Sequence, residues 1–394
     1  MLSEQSTATV RATLPTIGAA IGEIAERFYA RLFAAHPELL RGLFNRANQA
    51  SGTQRQALAG SIAAFATQLV ERPDERPDVL LNRIAHKHAS LGIAPEQYEI
   101  VHKHLFAAIV EVLGDAVTPE VAAAWDEVYW LMANALIAIE RRLYAQHSGS
   151  GGWRAWEVVE RVEETADVAT FRLRPADGDP LPDFRAGQYV SVRVELPDGA
   201  RQIRQYSLSS APGSPVRQIS VKRVYDAANP DGEVSNHLHA HAHAGSTLEV
   251  SAPYGDLVLD DTDTPVLLAS AGIGVTPMIS MLEQLTLTGH GAPVTVVHAD
   301  RSPADHALRA EHEGYAAKLA DAEVHFWYER DSEGAGHAGR ADLSSVAVAS
   351  GTRAYLCGPL PFMRAVRGQL IDKGVAPADI HYEVFGPDLW LAQS

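Results

Sequence analysis

The stretch HSGSGGW, residues 147 to 153, marks a change of hydrophobic period, and that change constrains the fold more than any other feature. Before it, Ala, Leu and Ile recur at helical spacing, with helix stops at Pro37, at Gly92 to Pro95 and at Pro119. After it the text alternates. In QYVSVRVEL, Val190, Val192, Val194 and Leu196 share one strand face, and in TLEVSA Leu248 and Val250 do the same. A helix-period segment cannot also bury its apolar face as a strand, so the Gly/Ser run reads as a linker between domains. A third texture begins near Thr264. There PVLLAS, PVTVVHAD, EVHFWYE and RAYLCGP are compact apolar runs separated by helical stretches, the pattern of buried parallel strands in βαβ units. The expected multidomain division is all-α over 1–147, linker over 148–152, antiparallel β-barrel over 153–262 and α/β parallel sheet over 263–394.

Charge and cysteine content then exclude several roles. With 33 basic against 49 acidic residues the formal net charge is −16, which opposes general binding to nucleic acid or to anionic membrane. The single cysteine, Cys357, rules out an intrachain disulfide and an iron-sulfur cluster held by four cysteines of this chain. No uncharged apolar run is long enough for a bilayer, and the opening MLSEQSTATVRATLP lacks a basic-then-apolar signal pattern. A cytoplasmic protein with small-molecule partners is expected, with a monomer as the default.

Four short stretches carry chemistry. In NRIAHKHASLG, His86 and His88 stand two residues apart, about 200° around a helix, so they cannot share one metal ion. His88 falls on the stripe of Leu81, Ile84 and Leu91 and points inward, either as a hydrogen-bonded core histidine or as a ligand. In AGIGVTPM, Gly272 and Gly274 would let the backbone approach a ligand, and Thr276 with Pro277 reads as a helix start that attracts a diphosphate. A plain strand-to-helix turn is the alternative. In RQYSLSS, Arg204, Tyr206 and Leu208 share one face and Gln205 and Ser207 the other, as they would in any polar barrel strand. HLHAHAHAG suggests a metal site, but on a helix His237, His239, His241 and His243 scatter and only the i, i+4 pairs could chelate. Surface histidines are expected there.

Taken together, GQYV, RQYSL, AGIGVTP, CGP and YEVFGP, in this order, resemble the ferredoxin-reductase-like family of FAD and NAD(P)H domains. The resemblance implies that Tyr206 packs on the flavin ring, Gln205 and Ser207 approach it, and Arg204 neutralises the flavin diphosphate. It adds Tyr189, Val384, Phe385, Gly386 and Pro387 as flavin contacts, and Val234 and Ser235 as a diphosphate turn in which Ser235 caps a helix. Nicotinamide nucleotide falls to Gly272, Ile273, Gly274, Val275, Thr276 and Pro277, and to Cys357, Gly358 and Pro359. Such flavin domains pass electrons to an acceptor. With iron-sulfur excluded, the helical domain is left, where one histidine could hold haem.

That domain supplies RFYARLF, PELLRGLFN, GTQRQAL, IAHKHASLGI and PEQYEIV, which resemble the globin domain of bacterial flavohaemoglobins, so that the match spans essentially the whole chain. By this resemblance His88 is the proximal ligand of haem b, and Tyr29 and Gln54 are the polar pair on the oxygen side. Phe44 and Leu58 would be apolar haem contacts, Tyr98 and Glu140 a relay to the proximal histidine, and Lys87 and Glu383 tuning residues between haem and flavin. Two positions depart from the pattern: Val384 stands where many relatives have cysteine, and Val275 occupies a variable place in the glycine turn. The activity implied is nitric oxide dioxygenase, converting NO and O2 to nitrate with NAD(P)H electrons passed through FAD to haem. The alternatives are an oxygen-binding or sensing globin with its own reductase, and a flavin reductase for other acceptors. Between NADH and NADPH, Asp300 would repel a 2′-phosphate and Arg301 attract it, with NADH the expectation.

Overall fold

The computed structural model describes residues 2–147, 152–225 and 231–386. Pro387 and most of the expected linker lie outside them. The first domain is helical: α1 (Glu4–Ala35), α2 (Pro37–Gly42), α3 (Arg46–Ala50), α4 (Thr53–Glu71), α5 (Asp78–Leu91), α6 (Glu96–Leu113) and α7 (Pro119–Gln146). Its boundaries follow local chemistry. Helix α5 stops where Gly92 takes φ +76°, a left-handed conformation in which its amide reaches back to the last carbonyls. Helix α7 starts with Pro119 in its first turn and with Thr118 accepting from the Val121 amide. One core built on Val10, Phe28, Leu32, Phe65, Leu105 and Leu136 joins these helices.

The second domain holds β1 (Trp153–Glu163), β2 (Val168–Pro175), β3 (Tyr189–Glu195), β4 (Arg201–Ser207), β5 (Arg217–Lys222), α8 (Glu233–His241) and β6 (Thr247–Ser251). Its antiparallel order is β4-β3-β6-β1-β2-β5, and a bridge between Leu208 and Ile219 joins the two edges, so the sheet curls into a barrel. Val190, Val192, Val194, Leu196, Leu248 and Val250 fill its interior, as their alternation requires. The third domain runs β7 (Val266–Ala271), α9 (Val275–Thr288), β8 (Val294–Asp300), α10 (Arg309–Ala316), β9 (Ala322–Tyr328), β10 (His337–Ala338), β11 (Arg353–Cys357), α11 (Leu360–Asp372) and β12 (Ile380–Glu383). The parallel order β10-β9-β8-β7-β11-β12 reverses direction at β7, which opens a crevice beyond the carboxyl ends of β7 and β11, where ligands of such sheets bind.

Three sequence expectations need correction here. Ser235 does not cap α8. It lies inside the helix, donates to the Gly232 carbonyl at 3.0 Å and accepts from the Val224 amide at 3.2 Å, while Gly232 occupies the cap. Gly274 has a further reason to be glycine: a Cβ there would stand 2.3 Å from the Cys357 carbonyl oxygen, so two loops of the protein itself demand glycine. Asp300 does not face outward. Its side chain is 5% exposed, with Oδ1 accepting from the Arg301 amide and Oδ2 turned toward His298. The histidine run scatters around the helix as expected, but it is not all surface: His239 is buried against the Val221 carbonyl, His243 lies beyond α8, and only His237 and His241 approach each other.

Candidate functional site

Helix α5 builds the join between the first two domains. Its inward stripe turns Ile84, His88 and Leu91 to a cavity of about 740 Å³, which continues past Lys87 to the strand β4 residues Arg204, Gln205, Tyr206 and Ser207. Next to that stripe, Arg83 bonds Asp256 at 3.3 Å and the Tyr382 carbonyl at 2.9 Å, and His86 accepts from the Gly255 amide at 3.0 Å. The residue that faces away from the cavity is therefore a docking contact. Lys87 donates to the Gln205 amide oxygen at 2.5 Å, and Gln205 in turn donates to Ser191 at 3.1 Å. Burial pushes the Lys87 ammonium down to about 8, with Glu383 opposing and Arg204 assisting that shift.

Inside the helical domain His88 is held from behind. Its Nδ1 is 2.9 Å from the Tyr98 hydroxyl and 2.9 Å from Glu140 Oε1, and Tyr98 donates to the same Oε1 at 2.6 Å. Burial and the neighbouring Glu140 raise the Tyr98 phenol far above its usual range, so it keeps its proton. A carboxylate only accepts, and the phenol proton is spent on Glu140, so Nδ1 must carry hydrogen and Nε2 must carry the lone pair. Such an imidazole, one nitrogen anchored by a carboxylate and the ring on an apolar cavity, fits an axial haem ligand.

Tyr29 lines the same cavity and is 5% exposed. Gln54 and Gln49 stand near its hydroxyl and oppose the shift, but burial dominates and lifts the phenol well above its ordinary range, so it keeps its proton. Phe44 stands edge-on to the Tyr29 ring at 5.8 Å and 83°, and Leu58 lies on the cavity wall beside Gln54. Gln49 is absent from the sequence reading. It sits on the five-residue α3, too short to show periodicity, so nothing in the string marked it.

The barrel side of the cavity fits a flavin by its donor set. Ser207 Oγ is buried without a hydrogen-bond partner, and Arg204, its guanidinium buried, donates to Asn45 Oδ1 at 2.8 Å and to the Ile203 carbonyl at 2.7 Å. Tyr189, Tyr206, Val234, Ser235, Glu383, Val384, Phe385 and Gly386 share the lining. Asn45 and its neighbour Arg46 come from the helical domain. Arg46 bonds Asp198 at 2.6 Å and Glu233 at 2.5 Å, contacts spanning more than a hundred residues that no local pattern could reveal. In the third domain Gly272 takes φ +52° with open space around it, and Gly274 lies against the buried Cys357, whose thiol burial pushes up. Val275, Thr276 and Pro277 are buried in the first turn of α9.

Comparison with known proteins gives the same three parts. The chain matches the globin family over residues 26–136, an oxidoreductase FAD-binding domain over 155–259 and an oxidoreductase NAD-binding domain over 268–368. A flavohemoprotein of Bordetella pertussis is 45% identical over 405 residues, covering 98% of this chain and 99% of that protein. The chain belongs to the flavohemoprotein family. The flavohemoprotein of Bacillus subtilis is 40% identical over 409 residues, covering the whole of both. A crystal structure of flavohemoglobin from Malassezia yamatoensis, with bound FAD and heme, superposes with a TM-score of 0.91 at 38% identity, covering 98% of this chain and 100% of that one. The flavohem-like FAD/NAD-binding domain of a Vibrio cholerae nitric oxide dioxygenase matches with a TM-score of 0.57 and 36% identity, covering 60% of this chain and 100% of that one. This flavohemoprotein is thus an oxidoreductase that carries electrons from a nicotinamide nucleotide through FAD to haem. Among the described residues no helix is long and apolar enough to cross a membrane.

Proposed function

We propose that this flavohemoprotein is a nitric oxide dioxygenase that converts NO and O2 to nitrate and protects its cell from nitrosative stress. The observation that carries this reading is the Tyr29 hydroxyl, buried and protonated in the same cavity as the Tyr98- and Glu140-anchored His88. When bound, FAD supplies hydride acceptance and single-electron release, and haem b supplies an iron for dioxygen; every other task falls to side chains of this chain. His88 Nε2 would hold the iron, and Glu140, accepting the Nδ1 proton, would make that imidazole more electron-donating. Tyr29 would donate toward charge that develops on oxygen, with Gln54 and Gln49 near its hydroxyl. Phe44 and Leu58 keep the gas pocket apolar and exclude water.

On the reductase side Tyr206 and Tyr189 offer flat faces, Ser207 an unpaired hydroxyl and Arg204 a fixed cation to the flavin. Lys87 and Gln205 form a direct side-chain connection between the two halves. The crevice beyond β7 and β11 takes the nucleotide, and NADH is the preferred one. Arg301, the cation that could attract a 2′-phosphate, is already engaged by Asp305 at 2.5 Å and by Asp167 at 3.3 Å. A nucleotide-fed enzyme with one buried thiol suits the cytoplasm, where NADH is made.

An electrode measurement of NO in aerated buffer, with holoprotein and NADH and a nitrate assay on the product, tests the reading. Rapid loss that requires both O2 and NADH and forms nitrate is expected. Normal flavin and haem reduction without NO loss would overturn it.

A further inference from the structure

The third domain contains a cluster that electron transfer does not use. His298 at the end of β8, His306 in the following loop and His312 in α10 are buried together. Among the described residues they form the one group of three or more potential ligands whose donor atoms could meet, all within 4.8 Å of one another. His306 Nε2 and His312 Nδ1 are 3.0 Å apart. The rings of His298 and His306 stack with centroids at 3.9 Å. The remaining atoms are more informative. His298 Nε2 and His312 Nε2 are buried with no hydrogen-bond partner, although a buried imidazole nitrogen is normally satisfied. His298 Nε2 also lies 3.5 Å from Oδ2 of the almost fully buried Asp300.

We propose that His298, His306, His312 and Asp300 form a binding site for a divalent transition-metal ion of the zinc type. Three imidazoles and one carboxylate are a donor set that zinc accepts, with tetrahedral bonds of about 2.0–2.1 Å that place ligand atoms roughly 3.3 Å apart. The three histidine donors lie within 4.8 Å of one another and Asp300 Oδ2 lies 3.5 Å from His298 Nε2, so side-chain rotation would draw them in around an ion. The supporting bonds have the arrangement that metal-binding histidines require: Ser270 Oγ meets His298 Nδ1 at 2.8 Å, and the Tyr328 hydroxyl meets His306 Nδ1 at 2.9 Å, which orients each ring from behind. Burial holds the imidazoles uncharged, the form that ligates.

The backbone between the ligands carries strain as well. Leu308, buried between His306 and His312, takes φ +57°, a left-handed conformation unfavourable for a branched apolar residue. That kink lets the loop turn back into α10, so that His306 and His312 face the same point. Because the same loop carries Arg301 and Asp305, an ion here would brace the edge of the nucleotide crevice.

The test uses holoprotein, with haem and FAD in place, in a His237→Ala/His241→Ala background that removes the neighbouring histidine pair on α8. After loading with Zn2+ and desalting, elemental analysis is expected to find about one zinc per chain, falling at least tenfold in the added His312→Leu variant. Equal zinc in both proteins, or none retained in the parent, would overturn the site. Should His312→Leu lose its flavin or haem and so prove misfolded, the zinc-edge X-ray absorption spectrum of the parent decides. Three imidazole nitrogens and one carboxylate oxygen support the assignment, and an oxygen-only or one-imidazole shell rejects it.

Discussion

At the residue scale the two sides of the haem cavity make opposite demands on one kind of group. Tyr29 and Tyr98 are both phenols held protonated by burial, yet one lines the cavity near two amide side chains and the other spends its proton on Glu140. Replacing Tyr29 by Phe removes a donor and leaves shape nearly unchanged. Oxygen dissociation in a stopped-flow experiment is expected to quicken about tenfold, the effect of a hydrogen bond of about 1.4 kcal/mol, while NADH still reduces the haem. An unchanged dissociation rate would remove Tyr29 from the oxygen pocket. Glu140 is 2% exposed and serves two donors, so Glu140→Gln loses charge where little else compensates. The haem reduction potential is expected to rise, because a less electron-rich imidazole stabilises ferric iron less, and haem retention should weaken about tenfold or more. A potentiometric titration and a haem-transfer assay read both.

At the element scale, the close passage of two strand ends shapes the nucleotide crevice. Gly274 lies against the Cys357 carbonyl, so Gly274→Ala forces the turn after β7 away from β11. The KM for NADH should rise roughly tenfold or more, as small misplacements in such sites cost. Flavin and haem content should stay normal because the disturbance lies in the third domain. Gly272→Ala, which meets no atom and carries only the strain of φ +52°, is the milder control. If both variants bind NADH like the parent, the crevice is elsewhere. Helix α5 shows how much one element can carry: its stripe presents His88 to the haem side while Arg83, His86 and Lys87 fasten the barrel and the C-terminal sheet.

At the scale of the whole molecule, the domains meet through charge placed beside the proposed flavin diphosphate site. Glu233 opens α8, next to Val234 and Ser235 on the cavity wall, and Arg46 of the helical domain neutralises it. Arg46→Ala leaves that carboxylate facing the proposed flavin diphosphate. The pair is partly exposed and screened, so the loss is about 1 kcal/mol, and FAD affinity should fall about fivefold at low salt and less at high salt. Adding Glu233→Gln should restore it. A flavin fluorescence titration across ionic strengths reads this, and failure of the second change to rescue would show that Arg46 acts only as a domain tie.

Period and composition alone determined the division into helical, barrel and parallel-sheet parts, because apolar spacing records which face of each element must leave water. They also placed His88 on an inward face, and the resemblance of short motifs marked Tyr29, Gln54, Tyr98 and Glu140 before any contact was visible. What the string could not contain is the meeting of residues far apart in it. Arg46 with Glu233, Lys87 with Gln205, and His86 with Gly255 depend on how domains dock, and docking is decided by summed surfaces rather than by local pattern. The same holds for the inward turn of Asp300 and the convergence of three histidines beneath it. A side chain at the end of a strand has two directions open to it, and only the packed neighbours on either side choose between them.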